Sequence, residues 1–167
     1  MENFNYEIFN RENKIIAFLK KTILYFVIAL FFTFMVSLLL GYEYSIVKTA
    51  SMEPTLHANR TMVVIAPVDM KDIKVGDIVT KDMVDPAPSV THRVVRILEN
   101  GNLKTLGDAE RGGNKTEDAW EVTPENYMGK VVAKSHFLGG VVQYLKIHLW
   151  ESVIAIVIYF LAYLAIN

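Results

Sequence analysis

Thr91-His92-Arg93-Val94-Val95-Arg96-Ile97-Leu98-Glu99-Asn100-Gly101-Asn102-Leu103-Lys104-Thr105-Leu106 (THRVVRILENGNLKTL, 91–106) reads as a strand, a turn and a returning strand. β-Branched residues fill the first arm, which suits a pleated surface, and Asn-Gly supplies the positive φ that a tight hairpin turn requires. Upstream, 61–66 and 75–80 are short β-branched runs, bounded by Pro67 and by a loop at 82–88. Downstream, 127–134 supplies a further strand, and Gly139-Gly140 breaks the chain before a helix at 141–149. Strands at this spacing predict a mainly β domain, a small antiparallel β-barrel or folded sheet.

Outward from these strands the chain turns apolar. Hydrophobic residues make up 52% of it and charged residues 21%, so the two kinds must be segregated. Residues 22–40 (TILYFVIALFFTFMVSLLL) carry no charge and span about 28 Å as a helix, against a hydrocarbon core of roughly 30 Å. The run ends in Leu-Leu-Leu-Gly-Tyr-Glu rather than in a small-x-small cleavage site, so it is expected to stay as an uncleaved anchor. Arg11, Lys14, Lys20 and Lys21 precede it with only Glu12 among them, whereas Glu43, Lys48 and Glu53 follow it without a basic excess. Positive charge stays inside, which predicts a cytoplasmic N-terminus and an outer location for the chain from Tyr42 onward. Residues 152–166 form a second, shorter apolar run behind Trp150, expected to cross the membrane with local thinning or else to lie in the outer interface. The expected division is a cytoplasmic segment 1–21, an anchor 22–41, an extracytoplasmic domain 42–140 and a helical segment 141–167 with a second transmembrane helix.

The formal net charge of −1 gives no support to nucleic-acid binding. Without cysteine there is no thiolate nucleophile, no disulfide framework and no Cys/His zinc site, and the four histidines are too scattered for a helical metal motif.

Between the anchor and the first strand runs Thr49-Ala50-Ser51-Met52-Glu53-Pro54-Thr55-Leu56. Ala50 leaves room for a substrate backbone, and Pro54, with φ fixed at about −65° and no N–H, makes the chain turn and presents the Ser51 hydroxyl on a bend. A serine nucleophile needs a base within hydrogen-bond reach, and His92, opening a strand, is the candidate. Asp108, which the hairpin brings back beside His92, and Asp118 further along are the candidates to orient its ring. His57, His136 and His148 are expected at the surface or the membrane interface. Each choice has a plainer reading as a linker serine, an edge histidine or a turn-capping aspartate. The alternatives are a noncatalytic membrane-anchored β domain acting as an export or surface-assembly partner, and a Ser-Lys dyad peptidase with Lys81 as the amine.

Ser51-Met52-Glu53-Pro54-Thr55-Leu56, Val75-Gly76-Asp77-Ile78-Val79, Thr91-His92-Arg93-Val94-Val95 and Gly107-Asp108, in this order behind an anchor, resemble the four boxes of a type I signal peptidase over 20–135. His92 stands where the common bacterial form carries lysine, so the chain is similar to the endoplasmic-reticulum and archaeal subtype, also found in some Gram-positive bacteria. The resemblance implies a membrane-bound serine endopeptidase, a hydrolase without cofactor, that removes signal peptides from secretory preproteins at small-x-small sites. It implies Ser51 as nucleophile, His92 as base, and an oxyanion hole made by the Thr49 hydroxyl, where the family often has serine, with the Ser51 backbone N–H. In the subtype a second acid usually follows Gly-Asp closely. Here 109–116 read as a small insertion that delays it to Asp118, so Asp108 and Asp118 both stay open as the third member. Preproteins and membrane lipid are the implied partners, in the plasma membrane or the endoplasmic reticulum; an export-machinery partner is left open.

Overall fold

The computed structural model describes residues 2–83, 89–110 and 116–166, so parts of the 82–88 loop and of the 109–116 insertion lie outside the described residues. In chain order the elements are α1 (Glu2–Leu39), β1 (Glu43–Ile46), a 3-10 turn (Ala50–Met52), β2 (Met62–Ala66), a second such turn (Met70–Asp72), β3 (Ile78–Lys81), β4 (Val90–Ile97), β5 (Leu103–Leu106), a third turn (Asp108–Glu110), β6 (Tyr127–Ser135), α2 (His136–Ile147) and α3 (Leu149–Ile166). They fall into two compact units, Met1–Gly41 and Tyr42–Asn167.

The first unit is α1. Its stretch Lys14–Leu39, 26 residues, is long and apolar enough to cross a membrane. Large side chains such as Phe18, Phe26, Phe31 and Phe32 are exposed along it, as in a helix that is apolar on every side and needs lipid or protein around it. The helix stops where Gly41 takes φ 81° and donates its N–H to the Leu38 carbonyl at 3.0 Å, a left-handed closure that glycine adopts without strain.

The second unit is built on an antiparallel sheet in the order β1-β2-β6-β3-β4-β5. The hairpin read from 91–106 is β4 and β5, closed by Gly101 at φ 84° and by the Leu98 N–H on the Asn102 carbonyl. β3 begins at Ile78, three residues later than the sequence suggested, because the Asp77 N–H bonds back to the Lys74 carbonyl and the Asp77 carboxylate accepts from the Lys74 N–H, closing a turn. β1, too short to read from the sequence, lies along β2.

β1 and β5 are the two edges and do not pair, so the sheet is open. This overturns the closed-barrel alternative. Register shifts at Val64/Ile65, Thr80/Lys81 and Val94/Arg96 bend the strands locally. Two buried clusters result: Val47, Met52, Leu56, Val63 and Ile65 around β2, and Ile73, Val79, Val94, Leu103 and Val122 around β3 to β5. The second edge is covered in part, because Val122 bridges to Leu103 with backbone bonds of 2.9 and 3.0 Å.

Gly139-Gly140 does not break the chain; it lies inside α2. Ser135 caps that helix by accepting the Leu138 N–H at 3.1 Å. A Cβ on Gly139 would collide with the Arg60 carbonyl and lie 2.5 Å from the Met62 nitrogen, so glycine is what lets α2 lie against the start of β2. The second apolar run forms most of α3.

Candidate active site

Ser51 lies in the 3-10 turn Ala50–Met52, entered from Thr49 in extended backbone and left through Glu53. Met52 and Leu56 are fully buried in the first cluster and pin the turn to the sheet, with the Leu56 N–H on the Met52 carbonyl at 2.9 Å. Ser51, next to this anchor, stays half-buried at the rim. The Glu53-Pro54 bond is cis. The Glu53 carboxylate secures the outgoing loop by accepting the Ala58 N–H at 3.2 Å and meeting His57 Nδ1 at 2.6 Å.

His92 comes from β4, opposite Val79 of β3, and is 8% exposed. Its Nε2 lies 3.0 Å from Ser51 Oγ, and its Nδ1 lies 2.7 Å from Asp118 Oδ2. Asp118 is fixed by β5: its N–H donates to the Thr105 carbonyl at 2.9 Å, and its Oδ2 also accepts the Thr105 hydroxyl. Burial opposes the charge on Asp118, but the hydrogen bonds from His92 and Thr105, with the charges of His92 and Lys81, hold its pKa below the ordinary carboxylate value. Three side chains distant in sequence thus form one hydrogen-bonded line. In such a line a hydroxyl can be deprotonated by an imidazole whose far nitrogen is held by a carboxylate.

Asp108, the first candidate for that carboxylate, is committed elsewhere. Its two oxygens take the Nε and Nη2 of Arg93, with Nε at 2.8 Å, and Arg93 also donates to the Gly76 carbonyl at 2.8 Å. The hairpin does return Asp108 to β4, but to the residue after His92, whose side chain leaves the strand on the other face. The hydrogen bonds to Asp108 raise the Arg93 pKa, so Arg93 stays charged.

Gly107, quoted from the sequence only as part of the Gly107-Asp108 box, lies between β5 and the third turn. A Cβ there would stand 2.5 Å from the Ser51 carbonyl oxygen and 3.3 Å from His92 Nε2, so only glycine allows the chain to pass behind the serine. Thr105 was missed. Its signal was alternation, since Leu103 and Thr105 share the buried face of β5 and a buried hydroxyl calls for a partner.

The Thr49 hydroxyl sits 3.1 Å from Ser51 Oγ. Lys81 Nζ makes no hydrogen bond among the described residues, and the nitrogen that meets Ser51 Oγ is His92 Nε2 rather than this amine. The His57 and His136 rings lie tilted against each other with centroids 4.8 Å apart, with His136 Nδ1 2.7 Å from the Thr61 hydroxyl, while His148 meets Glu151 at 2.7 Å. Among the described residues no group of three or more His, Cys, Asp or Glu gathers in a way that could hold a metal. Next to Thr49 a cavity of about 210 Å³ opens between residues 45–49 and 89–91, with Val63 in its wall.

No family model matches the chain. It is similar to Signal peptidase I W of Bacillus subtilis (strain 168), 35% identical over 89 residues, which are 52% of this chain and 44% of that protein. The match thus spans less than half the length of that relative. The likeness over these 89 residues is to a signal peptidase I, and the apolar α1 is compatible with membrane anchoring.

Proposed function

We propose that this chain is a membrane-anchored serine endopeptidase that removes signal peptides from exported preproteins, with Ser51 as nucleophile, His92 as base and Asp118 as the orienting acid. The observation that carries the reading is the line Ser51 Oγ, His92 and Asp118 Oδ2, on a chain similar to a signal peptidase I. The cavity between 45–49 and 89–91 supports a substrate lying extended beside these segments.

In the reaction, Ser51 Oγ attacks the scissile carbonyl carbon while its proton passes to His92 Nε2. Asp118, on Nδ1, keeps the ring in the tautomer with Nε2 free and stabilises the imidazolium that forms. The oxyanion is held by the Ser51 N–H and the Thr49 hydroxyl, which turns from Ser51 Oγ towards it. When the C–N bond breaks, His92 returns its proton to the leaving amine and an acyl-enzyme remains. Water, deprotonated by His92, then releases the acyl group and restores the serine. Residues 22–41 anchor the enzyme with residues 1–21 in the cytoplasm, residues 42–140 work on the outer face, and α3 within 141–167 crosses the membrane again.

The test is cleavage of a preprotein with a small-x-small site by the purified full-length chain in detergent. Ser51→Ala and His92→Ala are each expected to lower the rate by about 10⁴ or more with folding unchanged. Cleavage retained in Ser51→Ala would exclude the serine mechanism, and a wild type that does not cleave would exclude the function.

A further inference from the structure

Lys81 is a buried charge to which this mechanism gives no task. It ends β3 with 2% of its surface exposed, and its Nζ has no hydrogen-bond partner among the described residues. Burying an ammonium without a hydrogen bond is costly, and methionine would fill the same space without that cost. A role for the charge itself is therefore to be sought in what surrounds it.

Side chains alternate along a strand, so Lys81 and Val79 share a face of β3, and Val79 stands opposite His92 in the ladder. The Nζ lies 4.9 Å from the centre of the Trp120 ring, whose π face attracts cations. Trp120 follows Asp118 closely, on the segment that the Asp118 N–H and Val122 tie to β5. The ammonium over Trp120 and the carboxylate that partners His92, two residues earlier in the chain, act on each other electrostatically. Burial draws the Lys81 pKa below the ordinary lysine value, the Asp118 charge opposes that, and Lys104 adds to it.

We propose that Lys81 is a positioning residue for the Ser51, His92 and Asp118 line: a cation seated on Trp120 that balances the charge of the Asp118 carboxylate behind His92. The proposal rests on the function proposed above. An unbalanced carboxylate in a dry site favours a standing imidazolium, which has no lone pair on Nε2 to take the serine proton. A cation near the carboxylate weakens that preference and keeps Asp118 ionised through turnover. The other charges around His92 already have counterparts. Asp108 is paired with Arg93, and Lys104 Nζ reaches the carbonyls of Asp118 and Ala119 and lies 3.8 Å from Glu121.

The test compares Lys81→Met, which keeps length without charge, with Lys81→Arg, which keeps charge, in the full-length chain. Removing the cation favours imidazolium, so the acid limb of kcat/KM is expected to move up by about one pH unit: about a tenfold loss near pH 6 and little change near pH 9. Lys81→Arg should keep the wild-type limb. A lysine of merely structural use would lower the rate equally at every pH, and that result overturns the proposal. The same shift is read without turnover by following the His92 ring by NMR in Ser51→Ala, with and without Lys81→Met. This separates the proposal from the peptidase reading, which fails if the wild type does not cleave. An unmoved His92 titration in folded Lys81→Met overturns the proposal. Should Lys81→Met not fold, carbon-13 labelling of lysine Cε in the wild type decides: an ammonium charged from about pH 6 to 9 supports it, and an amine neutral throughout that range overturns it.

Discussion

Asp108 and Asp118 lie on either side of the 109–116 insertion, yet their carboxylates meet neighbouring residues of β4. Asp108 is forked onto Arg93, and Asp118 accepts from His92 and Thr105. Replacing Asp118 by Asn keeps the shape but favours the wrong imidazole tautomer, so turnover is expected to fall by about 10⁴. Replacing Asp108 by Asn leaves the His92 partner in place and breaks a largely buried ion pair, which is expected to act on stability, by about 3 kcal/mol, more than on turnover. Turnover and urea unfolding measured on both variants decide, and the reverse pattern would hand the orienting role to Asp108. A pH dependence follows from the same contacts. The Asp118 pKa is lowered in the folded chain, so its contribution to stability is present above its unfolded value of about 3.9 and is lost as pH falls through the lowered one. Unfolding midpoints between about pH 5 and 3 should drop more steeply in the wild type than in Asp118→Asn. Parallel curves would mean that the contacts of Asp118 add nothing to its charged form.

The element that behaved least as its sequence suggested is α2, and the reason is a contact that no local pattern contains. Gly139 and Gly140 read as a break because glycine is a poor helix former, but Gly139 faces the Arg60 carbonyl and the Met62 nitrogen, far back in the chain. The two glycines should therefore respond oppositely to alanine. At Gly139 the new methyl meets backbone that cannot give way, and a loss of about 1–3 kcal/mol is expected. At Gly140 nothing lies within 4 Å of the added carbon, so the ordinary helix preference applies and a gain of about 0.5–1 kcal/mol is expected. Denaturant midpoints of Gly139→Ala and Gly140→Ala carry the comparison, and a shared sign would remove the close-approach explanation. The hairpin was legible because Asn100-Gly101 and its flanking strands specify themselves within a few residues. Whether the sheet closes was not, since that depends on bulges at Val64/Ile65, Thr80/Lys81 and Val94/Arg96 whose sum appears only in the assembled sheet. In the candidate site, Ser51 and His92 carried local signals, while which carboxylate meets His92 hung on the Thr105 carbonyl, which no spacing rule reveals.

Across the whole molecule, the residues of both buried clusters lie between Val47 and Val122, and none of the buried core residues among the described ones comes from α1 or α3. Every side chain of the hydrogen-bonded line sits in that same stretch. A chain of residues 42–147, kept in mild detergent because Phe137 and Tyr144 on α2 are exposed, is therefore expected to fold with the sheet and the line intact. Circular dichroism and a cooperative denaturant transition check the first part, and an unfolded product would mean that the helices supply core contacts after all. The second part depends on the proposed function and separates chemistry from delivery. On a short soluble peptide with a small-x-small site, every side chain of the proposed site lies within residues 42–147, and kcat/KM should stay within about threefold of the 167-residue chain. On a preprotein held in vesicles the full-length chain shares the membrane with its substrate, which raises the effective concentration of one for the other, and the shortened chain should be slower by about 10² or more. An equal loss on both substrates would show that the helices shape the site itself, whereas no loss on either would leave the anchor without a part in cleavage.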